Sequence, residues 1–274
     1  MNEGEQYEVC PPCGLSAALT TRNQHQAPGI QKGYAMRSPE DYIVFPLDVP
    51  SRDAALSLVD ALDGHVGLFK VGLELFIAQG PGLLEEIRQR TGAGIFLDLK
   101  LHDIPATVKQ AFLGASAHGP QFVTVHCDEG NGIFKDVAEN NPGDTHMLGV
   151  TVLTSLNQEK LIESGYASRY TEDVLELVLL RARMAKAAGC HGVVCSGLEA
   201  EKVREAIGPD MVIVTPGIRP AWCVVDRDDQ KRIVTPADAI RNGSDYVVVG
   251  RPIRDAASPR DAAKRVADEI ASGL

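Results

Sequence analysis

Three ionisable residues at fixed spacing, Asp98, Lys100 and Asp103, are the best candidates for chemistry in this sequence. Asp98 and Lys100 end an apolar run that begins at Gly94 and is typical of a buried strand. Because side chains alternate along a strand, this acid and this base share one face, and Asp103 follows in the turn. A structural ion pair is one interpretation, since charges in an apolar strand are costly unless paired. The second carboxylate favours the other interpretation, an acid–base site at the carboxyl end of a strand.

Alternating strands and helices must position these residues. From Tyr42 onward the sequence predicts eight strands, apolar on both faces, and eight helical segments, the longest running from Thr171 as N-cap to Ala188. A (β/α)8 TIM barrel over residues 40–274, in a single α/β domain, is the economical interpretation. The alternative is a doubly wound open sheet, but no G-x-G-x-x-G motif follows the first strand.

Barrel enzymes place their active sites at the carboxyl ends of the strands, where this sequence carries polar residues. The first three predicted strands end in residues of alternating charge, which predicts a compact network of Asp48, Lys70, Asp98 and Lys100. His126 and Thr154 end the fourth and fifth strands. Taken singly, Lys70 can extend to solvent and Asp48 can cap a helix. Their shared position at strand ends favours a functional site.

The seventh and eighth predicted strands are each followed by glycine and arginine. Gly217 and Arg219 follow the seventh strand, and Gly250 and Arg251 follow the eighth. Glycine lets backbone N–H groups approach a phosphate, and arginine can bind two of its oxygens at once. A glycine turn beside a solvated arginine is the structural alternative, but the repetition on adjacent strands favours a phosphate site.

A long polar loop, residues 218–235, separates the seventh strand from the next helix. Loops of this length in a compact domain are usually functional. We therefore predict a mobile lid over the phosphate, with a disordered surface insertion as the alternative.

The overall charge and the cysteines limit the class of protein. A net charge of −10 argues against a broad surface for nucleic acid or membrane, so a phosphate ligand must be held locally. The cysteines after residue 120 are scattered, and several lie within apolar runs. This pattern is typical of buried free thiols in a reducing compartment. No apolar run is long enough to span a bilayer, and the N-terminal residues do not form a signal peptide. We expect a cytoplasmic protein that binds a small molecule.

Residues 1–39 differ from the rest of the chain, because they are polar and lack any hydrophobic period. We expect a disordered or loosely attached N-terminal extension. Cys10 and Cys13 form a C-x-x-C, as in half a zinc site or a redox pair, although no second C-x-x-C and no βαβ context accompanies it. A further alternative is that Met36, just before the first regular element, is the natural start.

The residues around the acid–base set also carry a family resemblance. The pattern D-x-K-x-x-D-I-P-x-T resembles the signature of bacterial orotidine 5′-phosphate decarboxylases and is formed here by Asp98, Lys100, Asp103, Ile104, Pro105 and Thr107. The similarity continues element by element from about residue 42 to residue 271. It implies decarboxylation of orotidine 5′-monophosphate to UMP and CO2, the final step of de novo pyrimidine biosynthesis, with no metal and no organic cofactor.

The resemblance also implies a role for each matching residue. Lys100 would be the proton donor, and the catalytic set would also contain Asp98, Asp103 and Lys70. The substrate-binding set, from ribose through pyrimidine to phosphate, would be Asp48, Lys70, Asp98, Thr107, Thr154, Ser155, Arg219, Gln230, Gly250 and Arg251. Gln230 would bridge from the lid to the base. The expected assembly is a homodimer in which Asp103 and Thr107 complete the active site of the other subunit.

Two other functions compete with this interpretation. Related phosphosugar enzymes, such as 3-keto-L-gulonate 6-phosphate decarboxylase and hexulose-phosphate synthase, share D-x-K-x-x-D but use magnesium. Ile104, Pro105 and Thr107, together with Gln230 in its loop, favour the pyrimidine enzyme. A nucleotide-binding or regulatory protein with a dead site is the second alternative, and the intact set of Asp98, Lys100 and Asp103 argues against it.

Overall fold

Eight parallel strands close into a barrel in the computed structural model, which describes residues 37–128, 130–141, 143–223 and 234–274. Each strand pairs with its neighbours in sequence order, and the last strand pairs with the first. The strands are β1 (Ile43–Pro46), β2 (Leu68–Gly72), β3 (Gly94–Leu101), β4 (Phe122–His126), β5 (His146–Val150), β6 (Gly192–Val194), β7 (Val212–Thr215) and β8 (Tyr246–Val248). The predicted (β/α)8 barrel is confirmed, and the open sheet is wrong.

Twelve α-helices lie within the described part of the chain and cover the outside of the barrel. They are α1 (Arg52–Leu62), α2 (Leu73–Gln79), α3 (Gly82–Arg88), α4 (Pro105–Ser116), α5 (Asn131–Asn140), α6 (Gln158–Glu163), α7 (Ser168–Glu172), α8 (Val174–Ala187), α9 (Ala200–Ile207), α10 (Pro236–Arg241), α11 (Arg251–Arg254) and α12 (Pro259–Ala271). A short 3-10 helix, Pro39–Tyr42, precedes β1. The sequence did not predict α2, α6, α7 or α11 as separate helices, because one or two turns are too short for a helical period to show.

The predicted helix from Thr171 to Ala188 is wrong at its start, because α7 and α8 are separate helices. Asp173 lies between them in extended conformation, and its carboxylate accepts a hydrogen bond from the Leu175 N–H at 3.0 Å. Asp173 is therefore the N-cap of α8. The Thr171 hydroxyl instead donates to the Ser168 carbonyl at 3.0 Å within α7.

Side chains on each strand alternate between two separate hydrophobic cores. Phe96 points into the barrel, whereas Ile95 and Leu97 pack against the surrounding helices. The barrel interior is filled by Val44, Leu68, Phe96, Phe122, Leu148, Val212, Val214, Tyr246 and Val248. Because the interior is packed, a ligand can bind only beyond the strand ends.

The predicted N-terminal extension, with Cys10 and Cys13, lies outside the described residues as far as residue 36. Its disorder and the start at Met36 therefore stay predictions. Arg37 already contacts the barrel, because its guanidinium carbon lies 4.1 Å from the ring centroid of Tyr42 and 4.4 Å from that of Tyr246. Among the described residues, no helix is both long and apolar enough to cross a membrane.

Two histidines pack together at the amino-terminal end of the barrel. His146 begins β5 and His191 precedes β6, and their ring centroids are 4.6 Å apart. The Met147 N–H donates to His191 Nδ1 at 3.2 Å, so this nitrogen acts as an acceptor. Burial, with a smaller contribution from His146, lowers the pKa of His191 to about 4.

We expect this histidine to make stability depend on pH. An unfolded chain protonates histidine near pH 6.5, at about its ordinary pKa, whereas folded His191 resists protonation. The stability that neutral His191 contributes is therefore complete above about pH 6.5 and is lost as the pH falls towards 4. The variant His191→Asn keeps an acceptor for the Met147 N–H, and its free energy of unfolding in urea should fall less over this range than that of the wild type. His65→Asn is the control and should behave as the wild type does; equal pH dependence in all three proteins would contradict this prediction.

Candidate active site

A chain of alternating charges lies at the carboxyl ends of the first three strands. Lys70 Nζ is 3.4 Å from Asp48 Oδ1 and 3.4 Å from Asp98 Oδ2. Lys100 Nζ is 2.6 Å from the same Asp98 oxygen. The parallel register produces this proximity, because it aligns Lys70 with Pro46 on β1 and Asp98 with Gly72 on β2. The structure thus brings together all four residues of the predicted network.

Asp98 is the most buried residue of the network, with 8% of its surface exposed. Burial by itself raises the pKa of a carboxyl group. Here the charges of Lys70 and Lys100, with hydrogen bonds from Lys100 and Thr124, outweigh burial, so the pKa of Asp98 lies below its ordinary value. The carboxylate is therefore ionised at neutral pH.

Thr124 is a part of this site that sequence reasoning missed. It is fully buried on β4, and its hydroxyl donates to Asp98 Oδ1 at 3.0 Å while accepting from the Lys100 N–H at 2.8 Å. The signal was a hydroxyl in the apolar run FVTVH, two residues after Phe122, which faces the barrel interior. One side chain thus orients both the acid and the backbone of the base.

The backbone at Lys100 is strained. Its φ is +51°, and the register of β3 against β4 shifts between Leu97 and Leu101. Such bulges re-aim side chains next to active sites. A left-handed conformation at a non-glycine residue costs about 1–3 kcal/mol and persists only where other contacts fix it. The hydrogen bond to Thr124 and the ion pair with Asp98 supply those contacts.

The network borders a cavity of about 290 Å³ above the barrel. Its lining includes the four network residues, with Thr154 from the segment after β5 and Gly217, Arg219, Gly250, Arg251 and Arg254 from the β7–β8 side. The floor is apolar and includes Phe96, Val150, Val194, Val214 and Val248. The cavity therefore combines an acid–base wall, an apolar floor and a cationic end, as a site for a small polar anion would.

Glycines and main-chain hydrogen bonds shape the cationic end of the cavity. Gly217 has a φ of +78°, which favours glycine. A Cβ at Gly250 would lie 2.9 Å from Pro46 Cγ, so β1 leaves room only for glycine there. Arg219 is 5% exposed, and its N–H donates to the Val234 carbonyl at 3.0 Å. Main-chain contacts therefore fix the position of Arg219 beside the cavity.

Arg254 lines the cavity and is a second site residue that sequence reasoning missed. It lies on α11, three residues after Arg251, and its Nη1 donates to the Asp48 carbonyl at 3.0 Å. Its Nε is 2.6 Å from Asp255. The unpredicted helix α11 is what turns this side chain back to the cavity and to the start of the charge network.

Several predicted site residues do not line the cavity in the single chain. Asp103 and Thr107 are exposed beyond β3, and Asp103 Oδ1 accepts from the Ile104 N–H at 2.7 Å. Ser155 is also exposed, next to the lining residue Thr154. Gln230 and most of the predicted lid lie outside the described residues. Among the residues that are described, no three acidic, histidine or cysteine side chains are grouped to hold a metal.

Comparison with known proteins identifies the family. The family model described as "Orotidine 5'-phosphate decarboxylase / HUMPS family" matches residues 41–266. The chain belongs to this family. The predicted family relationship is confirmed.

The most similar proteins include two bacterial relatives, both named orotidine 5′-phosphate decarboxylase. The one from Desulfosudis oleivorans is 47% identical over 239 residues, covering 87% of this chain and 96% of the relative. The one from Methylococcus capsulatus is 46% identical over 232 residues, covering 84% of this chain and 92% of the relative. These relatives are carboxy-lyases, which confirms the predicted enzyme class.

Solved structures with the same name share the fold. The enzyme from Lactobacillus acidophilus has a TM-score of 0.72 and 35% identity, covering 83% of this chain and 98% of that one. The enzyme from Pyrococcus horikoshii has a TM-score of 0.66 and 25% identity, covering 84% of this chain and 99% of that one. In both cases nearly the whole of the solved chain is covered, so the likeness extends over the complete barrel.

We expect Thr124→Val to damage the site through Asp98 and Lys100. The substitution keeps the side-chain volume but leaves the part-buried Lys100 N–H without its acceptor and Asp98 without a donor, which costs about 1–3 kcal/mol in free energy of unfolding. It should also lower decarboxylase turnover, because both charged groups lose a fixed orientation. Urea unfolding and steady-state kinetics measure the two effects.

The matched control is Thr145→Val. Thr145 is also buried, but its hydroxyl donates to the Pro120 carbonyl at 2.8 Å, at the opposite end of the barrel. It should lose stability and keep its turnover. Unchanged turnover in a folded Thr124→Val enzyme would show that Thr124 serves stability alone.

Proposed function

We propose that this protein is an orotidine 5′-phosphate decarboxylase. It converts orotidine 5′-monophosphate to UMP and CO2 without a cofactor, in the final step of de novo pyrimidine biosynthesis. The observation that carries this proposal is the Asp48–Lys70–Asp98–Lys100 network on the wall of a cavity whose other end carries Arg219 and Arg251. The network places charged groups where the pyrimidine ring would react, and the arginines can bind the oxygens of a phosphate monoester.

Lys100 is the proton donor in this proposal. When the bond between C6 and the carboxylate breaks, CO2 leaves and the electron pair stays on C6. The ammonium of Lys100 stabilises this developing charge and then transfers a proton to C6, which leaves a neutral amine to be reprotonated by solvent. The Asp98 carboxylate holds the Lys100 side chain in place at 2.6 Å, and its negative charge disfavours the substrate carboxylate beside it.

The remaining predicted site residues bind the parts of the nucleotide that do not react. Arg219, Gly250 and Arg251 hold the phosphate, and Gln230 bridges from the lid to the base. Thr154 and Ser155 hold the pyrimidine, and Asp48 and Lys70 contact the ribose. This assignment is supported because residues of the phosphate, pyrimidine and ribose sets all line the same cavity. Binding energy from the phosphate end then contributes to the chemical step.

The proposed assembly is a homodimer in which Asp103 and Thr107 complete the partner's site. Both side chains are exposed in the single chain, and Ile104 beside them is 66% exposed. Leu73 and Ile77 on α2, which follows the adjacent strand β2, are 51% and 77% exposed. Large apolar side chains exposed together mark an interface. A hollow of about 130 Å³ beside Leu73 reaches Asp98 and Lys100, which leaves room for a carboxylate from a second chain.

The magnesium-dependent phosphosugar enzymes remain the rival, since the family description also includes HUMPS. Ile104, Pro105 and Thr107, which continue the motif after Asp103, favour the pyrimidine enzyme. Loss of activity on adding EDTA would favour the rival. A binding protein with a dead site is disfavoured by the intact ion pairs of Lys70 and Lys100 with Asp98.

The first test is turnover of orotidine 5′-monophosphate, followed by its loss of ultraviolet absorbance with and without EDTA. We expect activity in both conditions and a loss of about 10²- to 10⁴-fold or more in Lys100→Ala, because general-acid catalysis contributes that much. Lys202→Ala on the exposed face of α9 is the matched control and should be fully active. Substantial activity in a folded Lys100→Ala enzyme would remove Lys100 from the mechanism.

The second test addresses the shared site. The variants Lys100→Ala and Asp103→Asn should each be inactive, and mixing them under conditions that exchange subunits should restore activity. Half of the dimers become mixed and half of their sites are intact, so about a quarter of wild-type activity should return if sites act independently. No recovery after proven exchange would mean that Asp103 serves the site of its own chain.

A further inference from the structure

Arg181 is a buried charge that the proposed mechanism does not use. It lies on α8 and is 6% exposed. Its Nη1 donates to the Thr151 carbonyl at 2.6 Å, and its Nη2 donates to the Tyr166 hydroxyl at 3.0 Å. Thr151 directly follows β5, and Tyr166 precedes α7. One guanidinium therefore bonds to both ends of the segment between residues 151 and 166.

Asp128 compensates the buried charge of Arg181. It follows β4 and forms a direct ion pair with Arg181 Nη2. A buried guanidinium is tolerated only with such a partner, and its planar fork can serve several acceptors in fixed directions. Arg181 consequently ties the end of β4 to the segment that follows β5.

The clamped segment forms part of the cavity wall. Val152, Leu153 and Thr154 line the cavity, and the Leu156 N–H donates to the Leu153 carbonyl at 2.9 Å. This bond closes a turn with Thr154 and Ser155 at its tip. Arg181 does not line the cavity itself, yet it fixes the base from which this turn projects.

We propose that Arg181 is a positioning residue that sets affinity for the pyrimidine half of the nucleotide. It does so by fixing the turn that carries Thr154 and Ser155, and this inference rests on the proposed function. The phosphate half is bound from β7 and β8, which Arg181 does not contact in the described part of the chain. Loss of Arg181 therefore weakens recognition of the base and leaves recognition of the phosphate unchanged.

The test compares a ligand that carries the base with one that lacks it. In Arg181→Met, we expect the dissociation constant of UMP to rise about tenfold or more, since a displaced site group costs up to about 10²-fold, while that of ribose 5-phosphate stays within about twofold. The KM for orotidine 5′-monophosphate should rise in parallel with the UMP constant. Arg183→Met, an exposed arginine on the same helix, is the matched control and should change neither constant.

Two further variants keep the test decisive if Arg181→Met does not fold. Arg181→Lys keeps a charge for Asp128 but cannot reach all three acceptors, and Tyr166→Phe removes only the contact at the far end of the segment. Both should raise the ratio of the UMP constant to the ribose 5-phosphate constant, by less than Arg181→Met. An unchanged ratio overturns the inference, whether the two dissociation constants rise equally or neither rises. Failure of the wild type to bind UMP or to turn over orotidine 5′-monophosphate instead overturns the proposed function.

Discussion

The buried carboxylate of Asp98 is the group on which the rest of the site depends. A carboxylate at 8% exposure is costly unless cations and donors surround it, and here two ammonium groups and one hydroxyl do so. In return, Asp98 holds Lys70 and Lys100 next to each other, an arrangement that two like charges would not otherwise adopt. Preorganised charge of this kind is the means by which a protein can stabilise a carbanion without a cofactor.

The closed barrel makes this arrangement possible. Parallel strands in sequential order bring the ends of β1, β2 and β3 side by side, and closure places β8 next to β1. The arginines after β7 and β8 therefore border the same cavity as the charge network, although about 150 residues separate Asp98 from Arg251 in sequence. Because the interior is filled with apolar side chains, the bottom of the cavity is a closed apolar surface against which a flat ring can pack.

Stability and function compete at two places in this structure. The left-handed backbone of Lys100 stores strain that Thr124 and Asp98 hold in place, so the lysine is aimed before any ligand arrives. The exposed side chains of Ile104, beside Asp103, and of Leu73 and Ile77 on α2 are unfavourable in a single chain, and in the proposed dimer a second copy would both cover them and bring a carboxylate to the network. Both features have a structural cost that the proposed reaction explains.

The sequence by itself determined the eight-fold alternation, the family, and the four residues of the charge network, because hydrophobic period and motif spacing are local properties that the chain carries explicitly. Only the tertiary structure revealed the roles of Thr124, Arg181 and Arg254. Each acts through partners that are distant in sequence, and a threonine in a strand or an arginine on a helix has no local signal for such contacts. The break at Asp173 also escaped prediction, since a single capping carboxylate decided it against a continuous helical pattern. The sequence did predict Asp103 in the turn after β3, but only the structure showed that Asp103 and Thr107 are exposed there, because exposure depends on how the whole chain packs.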